Sequence, residues 1–125
     1  MDNAKYLGIW MDHSVAYMMG LSTDPIETKI IKTKSTYDEH STGRGENQMH
    51  NKEQNVQAGF YKELSEYIIG YDKVILFGPT NAKVELLNIL KDDHHFDKIK
   101  IEVEQTDKMT ENQQHAFVRE YFTKN

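Results

Sequence analysis

The sequence predicts an α/β domain built on a five-stranded mixed sheet, and three observations lead there. Up to about residue 34 the chain carries three strand-like patterns in a row, none with helical spacing. From about residue 51 onward, apolar residues at helical spacing alternate with short β patterns. The 125 residues, 38% hydrophobic and 28% charged, suit one soluble domain with one core.

Each element has its own signal. Residues 6–11, YLGIWM, are apolar on both alternating faces, as in a central strand buried on two sides. Asp12-His13-Ser14 makes a turn, and residues 15–21, VAYMMGL, return as a second two-sided strand in a hairpin. After a turn at 22–25, residues 26–34, IETKIIKTK, place Ile26 and Ile30 on one face and Glu27 and Lys29 on the other, a more exposed strand. Val56, Phe60, Leu64, Tyr67 and Ile68 then mark an amphipathic helix from about 51 to 69, with Gly70 as its C-cap. KVILF at 73–77, ended by Gly78-Pro79, is the pattern of a buried parallel strand. A second helix runs from about 81 to 91, with Thr80 or Asn81 as cap and Ala82, Leu86, Ile89 and Leu90 facing inward. KIKIEVE at 98–104 alternates strictly and predicts an edge strand. Thr110 and Gln113 match a capping box, and Phe117, Val118, Tyr121 and Phe122 form the stripe of the last helix.

The resulting order, β-β-β-α-β-α-β-α, is that of the ribonuclease H-like fold, with helices packed on the sheet. Nuclease chemistry on that fold needs clustered carboxylates for two metal ions. Asp12 follows the first strand, and Glu53, Glu63 or Glu66 would supply a helix acid. The fourth strand, however, ends in Phe77-Gly78-Pro79-Thr80 without a carboxylate. A turn equally calls for Asp12, whose side chain caps its own backbone. The sequence therefore predicts no nuclease.

Other chemistries lack their residues. There is no cysteine, which removes thiolate zinc sites, disulfides and thiol nucleophiles. His13, His40, His50, His94, His95 and His115 show no metal-ligand spacing, and no Gly-x-Ser-x-Gly elbow or P-loop is present. No metal, cofactor or catalytic residue is predicted. Net charge is −5, and only Arg44 and Arg119 are arginines among fifteen basic residues, so DNA binding through a basic stripe is not expected. The start, MDNAKYLGIW, lacks a basic segment followed by an apolar one, and the longest apolar run, 15–21, is too short to span a bilayer. These features predict a cytoplasmic protein with no membrane partner.

One polar stretch stands apart. Residues 41–54, STGRGENQMHNKEQ, contain one apolar side chain, Met49, and two glycines flanking an arginine: Gly43, Arg44, Gly45. GRGENQ before a helix, followed by KVILFGPTNAKVELL, a charged edge strand and a final helix, resembles the middle domain of archaeal and eukaryotic peptide-chain release factors. The same domain occurs in the rescue factor Pelota and in bacterial relatives of these release factors. The resemblance covers most of the chain in element order. Its specific parts are the loop and 74–87, where Gly78 and Lys83 stand at a spacing that recurs in the family. It implies a ribonuclease H-like fold without nuclease chemistry, and a long loop reaching the peptidyl-transferase centre with a Gly-Gly-Gln tip. Here Glu46-Asn47-Gln48 stands where Gly-Gln would complete that tip, and glutamate does not supply glycine's backbone freedom. Efficient peptidyl-tRNA hydrolysis is therefore not predicted. At 125 residues, no room is expected for the flanking domains of a release factor.

The resemblance implies a translation-associated factor, of rescue or hibernation type, that contacts ribosome or tRNA through residues 41–52. Arg44 would pair with phosphate, Lys34 and Lys52 would add charge, and Asn47 and Gln48 would offer amides beside Gly43, Gly45 and Glu46. The alternative is a protein-interaction or adaptor module, or a homo-oligomer. It would use strand 98–104 and the last helix, where Tyr121 and Phe122 exceed what a core covers. A third reading is a small-anion site at Thr80, Asn81 and Lys83, where a helix N-terminus presents free N–H groups.

Overall fold

The structure, a computed structural model, describes residues 5–21, 27–33 and 46–124. Strands β1 (Tyr6–Met11), β2 (Val15–Gly20) and β3 (Glu27–Lys32) precede helix α1 (Glu46–Ile68). Strand β4 (Lys73–Gly78), helix α2 (Ala82–Lys91), a 3₁₀ turn (His94–Phe96), strand β5 (Lys100–Gln105) and helix α3 (Glu111–Lys124) follow. The sheet order is β3-β2-β1-β4-β5. β2 is antiparallel to both neighbours, and β4 is parallel to β1 and β5. This is the mixed, ribonuclease H-like sheet that the element order predicts. β1 and β4 are its buried centre, and β5 is an edge.

The two-sided apolarity of β1 is used on both faces. Leu7, Ile9 and Met11 join Val74 and Leu76 under Phe60, Leu64 and Ile68 of α1 and Leu86 and Leu90 of α2. Trp10 joins Met19, Ile75 and Phe77 under Val118 of α3. At Gly8 the helix comes so close that a Cβ would lie 2.3 Å from Val118 Cγ2. The end of α3 adds stacked rings, Phe117 on Phe77 at 4.2 Å and Phe122 on Tyr6 at 4.8 Å. Its start is the expected capping box: Thr110 N–H donates to Gln113 Oε1 (2.9 Å), and Gln113 N–H to Thr110 Oγ1 (3.2 Å).

Several expectations need correction. Helix α1 begins at Glu46, five residues before the predicted start at 51. In sequence terms, an acidic residue at the first helical position suits the helix dipole, and Gln48, Met49, Lys52, Glu53 and Gln54 are good helix formers. Ile89 points outward, 46% exposed, because Ala82, Leu86 and Leu90 define the inner stripe of α2, and the fourth buried residue is Lys83. In β3 the buried isoleucine is Ile31, opposite Ala16, whereas Ile30 is exposed. On α1, Tyr67 is exposed and Tyr61 is buried instead. β5 starts at Lys100 rather than 98, since Ile99 N–H still closes the preceding turn on Phe96 O (3.1 Å). Gly70 does not take a positive φ, and Tyr71 N–H closes the end of α1 on Ile68 O (3.0 Å).

Candidate functional site

The carboxyl ends of β1, β4 and β5 lie at one end of the sheet. The chain leaves β1 towards β2 on one side and leaves β4 towards β5 on the other, and open α/β sheets bind ligands where the strand order divides in this way. Here the gap is closed by backbone. Gly78 has φ 149°, and a Cβ on it would lie 2.2 Å from the Met11 carbonyl oxygen. Asp12 takes its turn role, with Oδ1 accepting from Ser14 N–H (2.7 Å) and Val15 N–H (2.9 Å).

Thr80, Asn81 and Lys83 come together at the start of α2. Thr80 Oγ1 accepts from Ala82 N–H (3.2 Å), while the Asn81 side chain makes no capping bond. Lys83 is 2% exposed. Its ammonium donates to the Thr80 carbonyl and to Gln105 Oε1 (2.8 Å), and Gln105 Nε2 donates to the Pro79 carbonyl (3.1 Å). Burial lowers the Lys83 pKa from its ordinary value. The cation therefore ties the β4–α2 turn to the last residue of β5. Gln105 carried no sequence signal; it enters because the register sets it beside Gly78.

A second polar cluster joins three elements. Glu85 of α2 accepts from Tyr61 Oη (2.6 Å) of α1, and its other oxygen lies 3.3 Å from His13 Nε2 in the β1–β2 turn. Gln57 Nε2 donates to the His13 carbonyl (3.3 Å). The Tyr61 hydrogen bond, seconded by His13, holds the Glu85 carboxyl below its ordinary pKa, and burial pushes the Tyr61 phenol up. No sequence pattern links these residues, which meet only in the fold.

Gln57 also gives the position of α1. It lies level with the turn that ends β1, and the far end of the helix closes near Lys5, where β1 begins. The eleven residues from 46 to 56 continue α1 N-terminally from Gln57, about 16 Å of helix at 1.5 Å per residue. Glu46, Asn47, Gln48 and Lys52 belong to this extension, so they are helical rather than part of a loop. Lys34, Gly43, Arg44 and Gly45 lie outside the described residues.

Among the described residues no three His, Asp or Glu side chains are grouped to hold a metal ion, and no helix is long and apolar enough to cross a membrane. No protein-family model and no curated protein sequence matches the chain. Solved structures do. Pelota from Archaeoglobus fulgidus is similar with a TM-score of 0.62 and 12% identity, over 95% of this chain and 32% of that one. Pelota from Thermoplasma acidophilum has a TM-score of 0.59 and 11% identity, over 100% and 34%. The archaeal translation termination factor aRF1 has a TM-score of 0.55 and 16% identity, over 98% and 40%. The chain thus spans about a third of the length of the two Pelota chains it matches. At these identities the likeness is one of fold: the chain has an architecture that Pelota and aRF1 also contain.

Proposed function

We propose that the chain is a translation-associated factor, corresponding to the middle domain of release factors and Pelota, that contacts ribosome or tRNA through residues 41–52. The observation that carries this reading is the extension of α1. Its first three turns, polar in sequence, continue the helix N-terminally from Gln57 and include Glu46, Asn47, Gln48 and Lys52. Gly43, Arg44 and Gly45 directly precede it in sequence. Arg44 supplies a planar fork for phosphate, and Asn47 and Gln48 supply amides. Glu46 in place of the second tip glycine, at a helical position, argues against efficient peptide release. A rescue or hibernation role in the cytoplasm fits these features.

The test is cosedimentation with ribosomes at low and moderate salt. Arg44→Ala should weaken association by roughly 1.5–3 kcal/mol, the loss of a charge-assisted hydrogen bond. Wild-type protein that stays in the supernatant at low salt would sink the proposal.

A further inference from the structure

Strand β5 pairs with β4 on one side, and among the described residues no strand pairs with its other side. The direction of its backbone groups follows from two bonds. Lys100 N–H donates to Asp72 O (3.0 Å), and Thr106 N–H donates to Gly78 O (3.1 Å). Even-numbered amides therefore turn towards β4. Ile101 and Val103 turn their N–H and C=O outward, as a template for another strand. The side chains alternate as well. Lys100, Glu102 and Glu104 are exposed, while Ile101 and Val103 are half-buried against the core under α1 and α2.

The charges along this edge are ordered. Lys98 and Lys100 precede Ile101, and Glu102 and Glu104 follow it, so residues 98–104 are antisymmetric in charge about their centre. We propose that β5 pairs antiparallel with β5 of a second copy of this chain, centred on Ile101, to make a continuous sheet across a two-fold axis. In that register each Lys100 lies opposite Glu102 of the second copy, and Ile101 meets itself. Ile99 meets Val103 and Lys98 faces Glu104 at the strand ends. The axis is perpendicular to the sheet, so opposite residues share a face. Lys100 and Glu102 occupy non-hydrogen-bonded positions, where facing side chains approach most closely.

The same charges exclude the alternatives. A parallel in-register pair sets lysine on lysine and glutamate on glutamate. An antiparallel pair centred on Glu102 sets that glutamate against itself. Within one chain Lys100 Nζ lies only 3.9 Å from Glu102 Oε2, a loose, exposed contact that can exchange for the pair across the axis. The shallow groove beside α3, lined by Lys73, Lys100, Glu102, Tyr121 and Phe122, reaches the same edge.

Light scattering across the micromolar to millimolar range tests the proposal on the intact chain. Wild type should dimerise. Lys100→Glu and Glu102→Lys should each weaken self-association by roughly tenfold or more, because each sets like charges face to face. The charge-swapped double variant should regain the dimer. An equimolar mixture of the two single variants should form a heterodimer, since positions 100 and 102 are then both acidic in one chain and both basic in the other. Both positions are exposed, so the fold tolerates these changes, and circular dichroism verifies it. Wild type that is monomeric throughout, or single variants that associate as well as wild type, would overturn the pairing. Ribosome cosedimentation of the same variants reads the function proposed above independently.

Discussion

The two faces of the sheet solve the burial problem differently. The face under α1 and α2 is a broad, largely aliphatic layer in which Leu64, Ile68, Leu76, Leu86 and Ile9 are fully buried. Its polar groups stand at the rim, where Tyr61, Glu85, His13 and Gln57 pair with one another. The face under α3 is smaller and aromatic, built on Trp10, Phe77 and Val118 with half-buried Phe117, Tyr121 and Phe122 around them. It also buries Trp10 Nε1 and Gln114 Oε1 without a hydrogen-bond partner among the described residues. One helix covering the sheet does so by close approach at Gly8 and by rings that reach across it, and the polar atoms left unpaired among the described residues lie on this face.

Leu64→Ala should break the first face most severely. A fully buried leucine removed from a close-packed layer leaves a cavity, and the expected loss is about 2–5 kcal/mol by urea denaturation. Gly8→Ala attacks the second face by overpacking. The added methyl meets the stiff Val118 side chain at 2.3 Å, for a loss of about 1–3 kcal/mol. In a Val118→Ala background that loss should shrink markedly; an unchanged loss would show that α3 does not rest on Gly8.

Gln114→Leu should fall near neutral. It gives up the bond from Gln114 Nε2 to the Met109 carbonyl (3.2 Å) and removes the unpaired Oε1. A net hydrogen bond contributes about 0.5–1.5 kcal/mol and an unsatisfied buried group costs about 1–3 kcal/mol, so the two effects offset. The smallest effect is an acid-limb change at the rim. Glu85 has a folded pKa below its unfolded value, so its contribution is present above the unfolded carboxylate range and is lost as pH falls through the folded pKa. Tyr61→Phe removes the main cause, and the fall of melting temperature below about pH 4.5 should become shallower. An equally steep fall would assign the acid sensitivity to other carboxylates.

The sequence made legible what depends on local pattern. YLGIWM and KVILF read as central strands because both their faces are apolar, and the Thr110–Gln113 box reads from three-residue spacing. Asp12 as a turn residue was equally local. GPTNAK pointed to the start of α2 but not to the burial of Lys83, which depends on a glutamine 22 residues away at the end of another strand. The cluster of His13, Tyr61 and Glu85 was invisible for the same reason, with partners 72 and 24 residues apart. Ile89 was misplaced because, after Ala82 and Leu86, both Ile89 and Leu90 fit helical spacing, and only the packed sheet chooses between them. The start of α1 was missed because its first three turns carry almost no apolar side chains to mark them.

That helix is mechanically a lever. Phe60, Tyr61, Leu64 and Ile68 hold its second half against the sheet, and its first half continues N-terminally from Gln57. The bonds of Gln57 to the His13 carbonyl and of Tyr61 to Glu85 sit at the fulcrum. A load on the first turns of the helix is therefore delivered as torque to those bonds, and from them to the β1–β2 turn and to α2. Stiffness at this joint, as much as the chemistry of the tip, sets how firmly the tip can be presented.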